Sequence, residues 1–190
     1  MFAGHFGLAA GIRAKAPEMP LWALMLGTQL LDVVFLPLYL TNVETIDNPF
    51  GTGYGKGVIH ADYTHSLLGA LIISLLAGLI ARWLWGKRAG WILGGVVFSH
   101  WMLDLVVHRT DMPLLPDNWG SFPLLGLGVW RFESLSIAIE LLILIIGFWM
   151  YARSAIQRGN GTRKKAAIVS SIVLGCLLGF ALITDVTSLF

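Results

Sequence analysis

The sequence predicts an all-α fold: a polytopic integral membrane helix bundle. About five transmembrane helices are expected, with a short N-terminal half-helix or re-entrant segment before them. Three observations carry this. Hydrophobic residues make up 56% of the chain and charged residues only 13%, against about 45–50% and about 25% in soluble domains. Mean hydropathy is +0.75. Five apolar stretches are each long enough to cross a hydrocarbon layer of ~30 Å at ~1.5 Å per residue. Disorder is excluded by the shortage of charge. A net charge of +2 is too small to imply nucleic acid. The single cysteine, Cys176, excludes an internal disulfide and a cysteine-based zinc site.

The elements follow in chain order. Phe2 to Ile12 is apolar but too short to span, and its basic residues, Arg13 and Lys15, follow it rather than precede it as in a secretory signal. It reads as a half-helix that starts inside the membrane. Ala16-Pro17 and Met19-Pro20 turn the chain into the first span. The five spans run roughly over 21–40, 64–85, 90–108, 129–151 and 166–190. The first contains Gln29, Asp32 and Pro37, and the third His100 and Asp104. Between the first two spans, Phe50-Gly-Thr-Gly-Tyr-Gly-Lys-Gly57 reads as a flexible loop or a lid. It is no dinucleotide fingerprint, because no strand precedes it. Pro113, Pro116 and Pro123 mark a loop expected to pack across the same end of the bundle.

Basic residues set the expected orientation. Alternating sides puts ten of them at one end (around residues 13–15, 82–88 and 153–165) and three, Lys56, Arg109 and Arg131, at the other. The ten-residue end is expected to be cytoplasmic and the C-terminus outside. Tryptophans 22, 83, 85, 91, 119 and 130 fall near the expected interfaces.

An ionisable residue inside a span is costly and needs a partner or a function. All five histidines lie within the first 108 residues. His100 and Asp104 are four apart on one helix face, and His108 extends that stripe. His5, Asp32 and His100 come out at ~12, ~18 and ~15 Å from the basic end, and Asp104 and His65 lie further out. A cavity opening away from the basic end gathers all five. Three imidazoles and two carboxylates form a plausible donor set for a divalent metal site, with zinc the first choice. The ion would also neutralise buried carboxylates. His60 and Asp62 are the candidate catalytic groups: His60, or an unligated carboxylate, as general base, with Asp62 orienting the ligands beside it. His108 and Glu140 are expected to orient or support the ligands from behind. Asp185 is expected near the outer interface in a bland role.

The segment His60-Ala-Asp-Tyr-Thr-His65-Ser66-Leu67-Leu68 resembles the H-x-x-x-T-H-S-L-L motif of a bacterial family of membrane-bound, metal-dependent hydrolases. That family includes a DNA-damage-inducible inner-membrane protein. Ser99-His100-Trp-Met-Leu-Asp104 resembles its S-H-x-x-x-D motif, and Met112-Pro113-Leu-Leu-Pro116 the proline-leucine stretch after it. Gly4-His5 is similar to its N-terminal glycine-histidine, and Leu31-Asp32 to its acidic motif, of which one acid remains here. The resemblance spans roughly residues 4 to 116. It implies a hydrolase of the inner membrane. The His and Asp pattern is also similar, more distantly, to zinc-dependent phospholipases C.

The expectation is therefore a single transmembrane domain over 1–190, with a metal-site half at 1–116 and C-terminal helices at 129–190. Its expected activity is metal-dependent hydrolysis of a lipid or other amphiphilic ester or phosphoester. Membrane lipids are the expected partners. The alternative is a metal-ion or proton-coupled transporter, against which stand the absence of a visible repeat and the apolar inner half. A haem protein with histidine axial ligands leaves Asp32 and Asp104 unexplained.

Overall fold

The computed structural model describes residues 1–187, and they form an all-α bundle. Its helices are α1 (Phe2–Lys15), α2 (Leu21–Thr28), α3 (Leu30–Leu40), α4 (Leu67–Trp85), α5 (Lys87–Val107), α6 (Glu133–Arg158) and α7 (Thr162–Thr187). Four of these, α4 to α7, are long and apolar enough to cross a membrane, and α2 with α3 forms a bent apolar pair, a fifth, broken span or a re-entrant loop. The fourth span begins at Glu133, after a short 3-10 turn over Val129–Arg131, rather than at Val129. The second begins at Leu67, where the Ser66 hydroxyl accepts the Gly69 amide as an N-cap.

The first span departs most from expectation. It is two helices bent by 50° around Gln29. The polar side chain makes the break useful: Gln29 Nε2 donates to the Phe2 carbonyl, 2.9 Å away. This ties the bend to the start of α1.

The half-helix α1 is the inner core of the bundle. Ala3, Gly4, His5, Gly7, Ala9, Ala10 and Gly11 are all buried, so small residues cover most of its surface. Their purpose is close approach. A Cβ at Gly7 would come within 2.9 Å of the Leu144 backbone, and one at Gly147 would strike the Gly7 carbonyl. Helices α1 and α6 therefore cross backbone to backbone. Helices α4 and α5 do the same: a Cβ on Gly90 would sit 2.7 Å from the Gly78 carbonyl oxygen. They are joined by Gly86, whose φ of 93° suits glycine.

The expected flexible loop at 41–63 contains a small hairpin. Strands β1 (Thr45–Asp47) and β2 (Val58–His60) pair antiparallel, Thr45 opposite His60. The glycine-rich tip is anchored where Arg109 donates to the Gly55 carbonyl at 3.2 Å. The proline loop at 109–128 packs as expected across this end. Pro113 and Leu114 carbonyls accept the Leu67 and Leu68 amides, which are free at the start of α4. Five of the named tryptophans are exposed along the bundle, as interface residues are. Trp130 is not: it is buried and lies against the His108 ring, 4.3 Å between centroids.

Candidate metal centre

Three histidines turn Nε2 into one buried cluster centred on His100. His100 comes from the middle of α5, His65 from the turn just before α4, and His5 from α1. All three are buried. His5 and His100 stack nearly parallel, 4.0 Å apart with 8° between planes. His65 Nε2 lies 3.3 Å from His100 Nε2.

Two carboxylates close the group. Asp104, one turn along α5 from His100, places Oδ2 2.9 Å from His100 Nε2 and Oδ1 3.2 Å from His5 Nε2. Asp32 sits in the first turn of α3, just past the bend, where the free amides of a helix start favour negative charge. Its Oδ1 is 3.4 Å from His65 Nε2 and 3.5 Å from His100 Nε2. Two triads sharing His100 result: His5, His100 and Asp104, and Asp32, His65 and His100. Within each, the donor atoms lie within 4.8 Å of one another.

The rear sides of the rings fix their protons. The helix break turns the Thr28 carbonyl toward His100 Nδ1, 2.6 Å away. A carbonyl only accepts, so Nδ1 carries the proton, and in the neutral ring Nε2 then offers its lone pair inward. His65 Nδ1 is 2.9 Å from the Thr64 hydroxyl, which lies 2.9 Å from Glu44 Oε2. The carboxylate also takes the Tyr63 and Thr64 amides, each at 2.8 Å. The consistent assignment is Nδ1–H to the hydroxyl and the hydroxyl to Glu44, which in the neutral ring again leaves the lone pair on Nε2. With both rings neutral, two lone pairs would face each other at 3.3 Å and repel unless a proton or a cation stands between them. That observation, with the oriented carboxylates, is the fit of these residues to a metal ion. His5 Nδ1 is buried and has no partner among the described residues.

His108 lies at the rim. Its Nδ1 is 3.0 Å from Asp111 Oδ1, and its Nε2 is 3.8 Å from Asp104 Oδ2. Asp111 also accepts the Ile59 amide of β2 at 3.1 Å, which locks the hairpin over the site. A cavity of about 210 Å³ opens here, lined by His5, Asp32, His65, Asp104 and His108 among others. Phe2, Phe35 and Trp130 supply apolar wall.

Glu140 does not touch the cluster. It is fully buried in α6 and accepts the Gly4 amide at 2.8 Å and the Tyr54 hydroxyl at 3.0 Å. It thus fixes the start of α1, and with it His5, to α6 and to the glycine-rich loop. Burial, with the Glu140 carboxylate adding to it, raises the Tyr54 pKa, so the hydroxyl keeps its proton and donates. Asp185 is not bland: it lines the cavity and accepts the Ala3 amide at 3.3 Å.

The two residues expected to be catalytic lie elsewhere. His60 points away from the cluster and pairs with Asp47 at 3.2 Å, in an exposed setting. Side chains alternate along a strand, so when Ile59 faces the cavity His60 must face outward. Asp62 is half-buried in the loop. Burial raises its carboxyl pKa; His60 opposes the shift, and Asp117, Glu44 and Asp111 add to it. Sequence reasoning missed Glu44, Asp111, Tyr54 and the Thr28 carbonyl. Only Asp111 left a local signal, three residues after His108 at the end of α5.

The chain matches the family model described as YdjM inner membrane protein over residues 1–187. Neither curated proteins nor solved structures gave a match. A match of that extent shows the family: the chain belongs to the YdjM inner membrane protein family, a bacterial inner-membrane family.

Proposed function

We propose that this YdjM-family chain is a metal-dependent hydrolase of the inner membrane, with zinc the preferred ion and a lipid or related amphiphilic ester or phosphoester as substrate. One observation carries the reading: three imidazole Nε2 atoms and two carboxylates converge, with the rear Nδ1 of His100 and of His65 held by hydrogen bonds. His5, Asp32, His65, His100 and Asp104 would hold the ion. When bound, a divalent cation acidifies a water and polarises the bond to be cut.

The chain's own residues supply the rest. Asp111 orients His108 so that its Nε2 faces the cavity, close enough to the ligand cluster to take a proton from a water there. This role passes to His108 because His60 is turned away. Phe2, Phe35 and Trp130 give an apolar partner to a hydrocarbon segment beside the polar group being cut. The excess of basic residues at the far end favours a site open to the non-cytoplasmic side, with the C-terminus there too.

The test is turnover by zinc-loaded protein on phospholipids in mixed micelles beside soluble esters. Hydrolysis of the lipid, lost with Asp104→Asn and reduced by about 10²–10⁴-fold in His108→Gln, supports the reading. Metal bound without hydrolysis of any ester, together with metal flux across proteoliposomes, would replace it with the transporter.

A further inference from the structure

The basic end of the bundle holds a second pocket, remote from the histidines, of about 340 Å³. Arg13 near the end of α1, Arg158 and Tyr151 from α6, and Arg163 at the start of α7 line it. No acid lines it. Glu18, the one acid in the sequence at this end, is taken by Arg88 at 3.2 Å. Among the described residues, none of the three arginines makes an ion pair.

Charge alone at this end needs no explanation, since cytoplasmic loops are generally basic. Convergence on one concavity does. Arg158 is exposed, and donates to the Ala14 and Ser154 carbonyls at 3.1 and 3.2 Å, which ties its guanidinium to the wall. Arg163, Lys164 and Lys165 stand in the first turn of α7, where the helix dipole opposes positive charge. Three guanidiniums around one cavity and a cationic helix start both lose energy until an anion sits among them. Guanidinium forks fit phosphate oxygens in pairs. Tyr151 adds a neutral hydroxyl donor. A pocket of this volume accepts a phosphate together with its attached alcohol.

We propose that this pocket binds a phosphate group, carried either by an anionic phospholipid headgroup or by a soluble phosphate compound. It is independent of the metal reading, since it shares no residue with that centre.

The test is thermal unfolding of the full chain in neutral detergent, titrated with phosphatidylglycerol or with inorganic phosphate. Phosphatidylcholine and sodium chloride at matched ionic strength are the blanks. Two variants run beside the parent: Arg13→Gln with Arg163→Gln in the pocket, and Arg82→Gln with Lys87→Gln at the same end but outside it. A saturable rise in melting temperature is expected in the parent. Its midpoint should move about tenfold in the pocket variant, equivalent to about 1.4 kcal/mol, and stay in place in the other. A response to phosphatidylglycerol alone identifies a lipid headgroup. A response to inorganic phosphate identifies a soluble compound. No response beyond the blanks, or equal loss in both variants, overturns the pocket in favour of diffuse surface charge.

Discussion

Helices α1 and α7 are opposites. Helix α7 is long, uninterrupted and strongly apolar, and buries little more than Ser171, Leu174 and Leu178. Helix α1 is too short to span, rich in glycine and alanine, and buried over most of its surface. Hydropathy therefore measures exposure to lipid, not centrality. One of the five candidate ligands, His5, sits on the segment with the weaker apolar signal, because small residues let a polar side chain be brought inward at close helix approach.

The largest effect should come from breaking that approach. Gly7→Leu forces a branched side chain into the α6 backbone, while at Gly179 on α7 the Cβ of a leucine would meet nothing within 4 Å. Thermal unfolding in detergent should show a loss of about 3 kcal/mol or more for the first and almost none for the second. Equal tolerance would mean that α1 is not packed on α6 as described.

Next comes the tie between α1 and α6. Glu140→Leu strips the Gly4 amide and the Tyr54 hydroxyl of their acceptor. It should cost about 1–3 kcal/mol. Metal affinity should fall too, since His5 is released; unchanged affinity would detach His5 from the ligand set.

A gentler change sharpens the ligand geometry itself. Thr64→Val removes the hydroxyl between His65 and Glu44 and leaves the ring in place. Metal affinity, read by competition with a chelating dye, should drop about 10–100-fold, as expected for partners behind a ligand. No change would show that His65 does not bind.

The smallest effect is expected at Asp62. Its pKa is raised in the folded chain, so the unfolded chain ionises first as pH rises. Asp62 therefore costs stability above the ordinary carboxylate range and nothing well below it. Asp62→Asn should raise the melting temperature slightly at pH 7, with the gain gone near pH 3. Metal content should be unchanged; its loss would bring Asp62 into the centre.

Much of this was legible in the sequence because membranes penalise buried charge. His5, Asp32 and His100 stood out as polar residues at similar depth, with His65 and Asp104 further out, and the structure brings those five together. The loops gave no such signal. Glu44 is an ordinary loop acid until the hairpin carries it under Thr64, twenty residues away. His60 looked equivalent to His65 by motif, but strand alternation sends it outward. Gln29 was visible inside the first span, yet nothing in the pattern showed a 50° bend there, nor that the bend would hand the Thr28 carbonyl to His100.

The most direct test is elemental analysis of the detergent-purified chain beside a His100→Ala, Asp104→Ala double variant. His60→Gln, which alters an exposed histidine outside the cluster, controls for loss of the fold. Near-stoichiometric zinc or another transition metal is expected in the parent and in the His60 variant, and almost none in the double variant. A metal-free parent, even after loading, would contradict it: the His and Asp cluster would then be a polar network between helices.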